Sequence, residues 1–242
     1  MATRTPIRPA GAVAPAAAGP ATTTPASATR DPERTRARIL AAATAEFARH
    51  GLGGARVDRI AAESGANKRM LYYYFGDKDR LFTAVMEAAY ADIRSAEAEL
   101  RLEQLPPAEA VRAMVRFTWE YYLAHPEFLT LLNSANLHRA RHLQGTPELR
   151  ELNSPVIALL REVLARGERE GLFRAGVDPL QLYISIAGIC WFYLSNNHTL
   201  ATVFDPSLAD PARRGERLAH MQDLIVAGLS ATTATATPNT PR

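Results

Sequence analysis

From Arg34 to His50 the apolar residues Ile39, Leu40, Ala43 and Phe47 recur three and four positions apart, and the chain then meets Gly51. That spacing gathers them on one face of a helix, and a glycine just past the last periodic residue is where a helix stops. The pattern repeats to the end of the chain while strand-like alternation is almost absent, so the core must be built from helix faces and the fold class is all-α. The expected helices are Glu33–His50, Val57–Ser64 with Val57, Ile60 and Ala61 inward, and a third after Asn67 with Leu71 and Phe75 inward. A long helix capped by Asp77 follows, with Leu81, Phe82, Val85, Met86 and Ala89 on one face. Then come Pro107–His125, Pro126 to about Asn136, Pro147–Gly171, a nearly all-apolar helix from Pro179 to Asn197, and Asp210–Leu229.

The formal net charge of +3 hides a division. Residues 1–80 hold 11 Arg and 2 Lys against 7 acids, while residues 81–242 hold 15 Arg against 18 acids, giving +6 and −3. A basic first third suggests a polyanionic partner there and a different partner beyond it. Residues 1–30 contain 10 Ala, 6 Thr, 5 Pro, 3 Arg and no acid, a composition with too little apolar surface to order itself, so 1–32 reads as a disordered tail. An organellar transit peptide has a similar composition, but the prolines oppose the amphipathic helix such signals use. Arg4, Arg8 and Arg30 read as solvated charges of that tail, and residues 230–242 read as a second tail. No apolar run is long enough to span a membrane. The single cysteine, Cys190, lacks CxxC or Cys/His spacing, which favours packing in a reducing compartment, the cytoplasm.

The chemistry concentrates in RVDRIAAESGANKRMLYYYF at 56–75. Two short helices around a glycine turn have the outline of a helix-turn-helix, whose second helix presents its N-terminal residues to the major groove. With Leu71 and Phe75 inward, Lys68, Arg69, Tyr72 and Tyr73 turn outward. The two cations can donate to guanine edges or phosphates, and the tyrosines offer an apolar body for a thymine methyl and a hydroxyl for phosphate. Lys78 stands where it can clamp a phosphate. The competing reading makes the tyrosines core and the cations a solvated face.

The stretch IL-AAA-AEF-HG at 39–51, then Ile60-Ala61 and GANKRMLYYYFGDKDRLF at 65–82, resembles the DNA-binding domain of the TetR family of bacterial transcriptional regulators. The resemblance covers about residues 33–93. It implies an all-α protein in which a helix-turn-helix domain (33–93) is joined by a long helix to a helical bundle (94–229) that dimerises and binds a small-molecule effector. It further implies DNA contacts from Arg56, Asn67, Lys68, Arg69, Met70, Tyr72, Tyr73, Tyr74 and Lys78. Arg56 departs from the pattern: it stands where the family has a Ser or Thr cap. The segment HPEFLTLLNSANLHRARHL at 125–143 and the last apolar helices are similar to the branch that includes repressors of pyrimidine and nicotinate catabolism, which implies a small, planar, polar heterocycle or acid as effector.

Pockets in helical bundles are apolar with a few convergent polar groups. By that criterion Trp119, Tyr122, Asn133, Asn136, Trp191, Tyr193, Asn196 and Asn197 are the effector-site candidates, the asparagines because a buried amide needs partners. His138 and His142 lie four apart, but Arg139 and Arg141 beside them oppose a metal, and none is expected. The helices Pro147–Gly171 and Pro179–Asn197 carry surplus apolar surface and form the expected homodimer interface. The function expected is a repressor that binds a palindromic double-stranded DNA operator as a homodimer and is released by an effector. The alternative is a constitutive or partner-regulated factor, or an activator, without one. An enzyme is disfavoured: no GxGxxG, P-loop, nucleophile motif or metal cluster is present in the sequence, and no cofactor is expected.

Overall fold

The computed structural model describes residues 32–231, and the readings of the tails, including Arg4, Arg8 and Arg30, fall largely outside them. Among the described residues there are nine α-helices and no strand beyond a single bridge between Phe173 and Ser230. The helices are α1 (Pro32–Gly54), α2 (Val57–Ser64), α3 (Lys68–Phe75), α4 (Lys78–Ala98), α5 (Pro107–Ala124), α6 (Pro126–Leu137), α7 (Pro147–Arg169), α8 (Pro179–Val203) and α9 (Arg214–Leu229). The all-α expectation holds. No helix among them is long and apolar enough to cross a membrane.

Helix ends follow from local chemistry. Gly51 interrupts α1 with φ of 62°, and Gly65 closes α2 with φ of 63°, a left-handed conformation that glycine adopts without a Cβ clash. The Asn67 side chain accepts from the Met70 amide at 2.9 Å, and Asp77 accepts from the Arg80 amide at 2.7 Å, so α3 and α4 are both capped. α4 ends at Ala98, before the expected Leu102, because Arg101 turns left-handed. The carbonyls of Leu102, Glu103 and Leu105 that this turn frees are taken by the Arg166 guanidinium at 2.9–3.0 Å. α8 runs six residues past Asn197, since its polar asparagines face outward and do not break it. α9 begins later than Asp210, because Asp205 and Asp210 each cap a short 3-10 turn instead. Ser230 and Ala231, assigned to the tail by sequence, lie alongside 172–174, with Ala231 donating to Leu172 at 3.0 Å.

Two cores result. In the head, Ile39, Phe47, Ile60, Leu71, Leu81, Phe82 and Met86 are fully buried. In the bundle, Leu102, Met114, Leu160, Ile186 and Met221 do the same. Each such side chain contributes about 1.5–3 kcal/mol relative to exposure, before the cost of ordering the chain. α6 belongs to both: Phe128 and Leu129 pack in the bundle, and one turn on Leu131 and Ala135 pack in the head.

Candidate nucleic-acid interface and the cavity behind it

α3 is held by Leu71 and Phe75, buried at an i, i+4 spacing, so the remaining positions face away from the head. Lys68 and Arg69 are exposed, Tyr72 is 46% exposed and Tyr73 83%. Met70 and Tyr74 are half-buried; the Tyr74 ring meets Tyr73 edge-on at 5.3 Å and packs against the head core. The head from Arg34 to Arg80 has 10 cations against 5 acids.

The cations are not equivalent. Lys68 Nζ pairs with Asp58 Oδ1 of α2 at 3.1 Å, which holds the Asp58 carboxyl below its ordinary range; Arg56, 3.4 Å from Asp58 Oδ2, adds to this. Arg69 pairs with no carboxylate among the described residues. Lys78, expected to face phosphate, donates to the Ala55 carbonyl at 2.9 Å and reaches that of Gly53 at 3.4 Å, so it fastens the α1–α2 turn. Arg56 makes no side-chain cap on α2, as the missing hydroxyl implies. Its amide is instead taken at 2.9 Å by Glu46, which is buried in α1 with His50 and Arg59 at 3.6 and 3.8 Å.

The effector candidates are distributed otherwise than the sequence suggested. Trp119, Tyr122 and Tyr193 are buried core residues, Trp119 and Tyr193 with ring centroids 5.6 Å apart. The asparagines are not buried. Asn136 and Asn196 donate to carbonyls of their own helices, Asn197 accepts from the next amide, and Asn133 is exposed and accepts from Trp191 Nε1 at 3.2 Å. Periodicity could not tell these outward faces from inward ones. None of the eight lines the larger cavities.

The largest opening, about 860 Å³, lies between α1, α4 and α7, floored by Leu40, Ala84, Ala88, Ala91, Leu152 and Pro155. At its inner end it shares Arg94, Ala98 and Pro155 with a smaller cavity of about 90 Å³, which Glu97, Val156 and Leu159 complete. Pro155 cannot donate to the Glu151 carbonyl within α7, and Ser154 Oγ supplies that bond at 3.0 Å. Arg94 and Glu97 form an ion pair at 2.7 Å with only 9% and 4% of their side chains exposed. Arg94 also donates to the Tyr183 hydroxyl at 2.8 Å. Burial pushes the Glu97 carboxyl up to about 7 against the opposing pull of Arg94. The Tyr90, Tyr122 and Tyr183 hydroxyls are pushed above their ordinary values, chiefly by burial, and Arg94 pulls each back. Sequence reasoning missed this group, because Arg94 and Glu97 read as an exposed helix face.

Residues 39–85 match the family model described as bacterial regulatory proteins, tetR family, and residues 107–225 match the tetracyclin repressor-like C-terminal domain. The transcriptional repressor NicS of Pseudomonas putida is 41% identical over 197 residues, 81% of this chain and 93% of its own. The chain belongs to the TetR family. The repressor SCO4008 of Streptomyces coelicolor is 36% identical over 68% of this chain and 81% of its own, and the regulator RutR of Escherichia coli 27% over 79% and 88%. NicS and RutR agree with the nicotinate- and pyrimidine-catabolism branch that the C-terminal two-thirds resembles. Among solved structures, Streptomyces coelicolor SCO4942 superposes with a TM-score of 0.56 at 28% identity, covering 78% of this chain and 97% of its own. TetR relatives are named as regulators, and this chain is a transcriptional regulator rather than an enzyme. The TetR model ends at 85, within α4, so that helix runs out of the matched DNA-binding segment toward Arg94 and Glu97.

Proposed function

We propose that this TetR-family chain is a repressor that binds a two-fold operator as a homodimer through α3 and leaves it when a small molecule occupies the cavity between α1, α4 and α7. The observation that carries the reading is the row of Lys68, Arg69, Tyr72 and Tyr73 on the solvent side of a short helix whose other side is locked into the head. Lys68 and Arg69 meet base edges or phosphates, with Asn67, Met70, Tyr72 and Tyr73 against the groove wall. Tyr74, half-buried, contributes a hydroxyl at most. Arg56 reaches phosphate, and Lys78 supports the turn beneath it.

One such helix reads too few base pairs for genomic specificity, and a two-fold dimer reads two half-sites about 34–36 Å apart or a multiple of that. The dimer face is α8 with α9. Ile184 and Phe192, each about half exposed with Gly188 between them, continue toward Leu224. The outer face of α7, expected to share the interface, carries Arg161, Glu162, Glu168 and Arg169, which suits solvent better. The regulator works in the cytoplasm, on the nucleoid when bound to DNA. NicS, SCO4008 and the TetR domain models support repression as the mode of action.

The groove is placed for control, since Arg36 and Leu40 of the head and Glu148, Glu151 and Leu152 of the bundle line one cavity along α4. An occupant that spreads α7 from α4 re-aims the head. A ligand shifts such an equilibrium only by its differential affinity, and moving it from 1:99 to 99:1 requires about 5.5 kcal/mol. Titration of small planar heterocycles and acids into the protein–operator complex, followed by fluorescence anisotropy, tests the reading. Release by one of them is expected, and retention with all of them would favour a constitutive regulator.

A further inference from the structure

Arg94 is the group that the cavity leaves unfinished. Its side chain is 9% exposed, yet Nε makes no hydrogen bond among the described residues, and Nη1 meets Glu97 Oε2 only as an ion pair outside hydrogen-bond geometry. Glu97 Oε2 is left equally unsatisfied. Buried guanidinium donors without acceptors are costly, and a planar fork of two N–H groups is matched best by a carboxylate. The partner at hand does not fill the role, because Glu97 reaches Arg94 from one turn along the same helix. The adjoining cavity of about 90 Å³ is large against the roughly 10–15 Å³ a single water needs. Its other walls, Ala98, Pro155, Val156 and Leu159, offer nothing but apolar surface to the rest of an occupant.

Building on the effector reading above, we infer that the effector is a small monocarboxylate whose two oxygens take the Nε and Nη1 edge of Arg94 in place of Glu97, with its apolar body against Pro155, Val156 and Leu159. Glu97, released from Arg94 in a buried site, takes up a proton from solvent, so the buried charge remains balanced: one carboxylate enters and another is neutralised. Its carboxyl already stands at about 7. The Tyr183 hydroxyl stays on Arg94 Nη2 and fixes the fork's plane. The mouth selects for a single negative charge: Arg36 of α1 faces Glu87 of α4 and Glu148 and Glu151 of α7 there, and Glu148 already helps raise the Glu87 carboxyl. A second carboxylate at the outer end of a ligand meets that acidic rim.

Calorimetry of the full chain with benzoate, benzamide and terephthalate, in buffers of different ionisation enthalpy near pH 7.5, tests the inference. Expected are benzoate binding with proton uptake, binding of benzamide and terephthalate weaker by at least about tenfold, and loss of benzoate binding in Arg94→Gln. Glu97→Gln separates a folding defect from the site: it retains benzoate binding and loses the proton uptake. Equal binding of benzamide, no binding of benzoate, or proton uptake that persists in Glu97→Gln overturns the inference. The same ligands added to the operator complex keep the two readings apart. Release by an uncharged heterocycle with benzoate inert defeats the carboxylate and leaves the effector reading intact, whereas benzoate bound at Arg94 without release defeats the effector reading alone.

Discussion

The backbone amide of Leu52 donates to Ser134 Oγ at 2.9 Å, joining residues 82 apart in sequence where α1 ends and α6 crosses from the bundle into the head. Both residues are buried, and around them Leu131 and Ala135 of α6 pack with Phe47 and Phe82. A second tie lies nearby: Thr83 donates to the His142 carbonyl at 2.8 Å, and His142 Nδ1 sits 3.3 Å from Asp79. The head is therefore fastened to the bundle by α6 and the turn after it as well as by α4, and movement of the bundle reaches α3 through both.

Ser134→Ala leaves the Leu52 amide buried without an acceptor. Urea unfolding of the variant is expected to show a loss of about 1–3 kcal/mol. An unchanged unfolding free energy would mean that the tie carries no stability.

Asp58 competes with DNA for Lys68. Asp58→Asn frees the ammonium and removes a negative charge beside the proposed interface, so duplex affinity by anisotropy is expected to rise several-fold at low salt. The gain should fade toward high salt, where the screening length shrinks to about 3 Å at 1 M. Weaker binding by the variant would show that Asp58 positions Lys68 rather than restraining it.

The Glu97 carboxyl gives stability a pH dependence with a definite sign. Its ordinary value of 4.5 applies to the unfolded chain and about 7 to the folded one. Across that window the folded chain holds a proton that the unfolded chain has released, so this contribution falls as pH rises from 4.5 to 7 and is level above. Urea unfolding as a function of pH is expected to show that component in the wild type and to lack it in Glu97→Gln. An identical slope in both would place the titration elsewhere.

The reading helix was legible in sequence because its constraints are local. A left-handed glycine at 65, an asparagine cap at 67 and two apolar residues four apart leave one orientation for Lys68, Arg69, Tyr72 and Tyr73. Arg94 and Glu97 were not legible, since their burial is decided by Pro155 and Tyr183, which reach them from α7 and α8. Asn133, Asn136 and Asn196 failed the other way: apolar neighbours suggested a pocket, and only the packing of α6 and α8 decides that these amides face outward. Lys78 was expected at DNA, but the carbonyls it holds are set by how α1 ends, which spacing alone does not show.

The dimer face rests on α8 and α9. Ile184→Glu with Phe192→Glu places two charges on it while leaving the buried face of α8, with Ile186 and Cys190, unchanged. Sedimentation is expected to show folded monomers, and duplex binding to fall with them. A variant that remains dimeric would move the interface off this face.

Selection of bound duplexes from a random pool, run in parallel on the wild type and on Lys68→Ala with Arg69→Ala, tests the central claim most directly. The wild type is expected to enrich a palindromic sequence, while the double variant, still a folded dimer, enriches none. Enrichment of the same palindrome by the double variant would contradict the assignment of α3 as the helix that reads DNA.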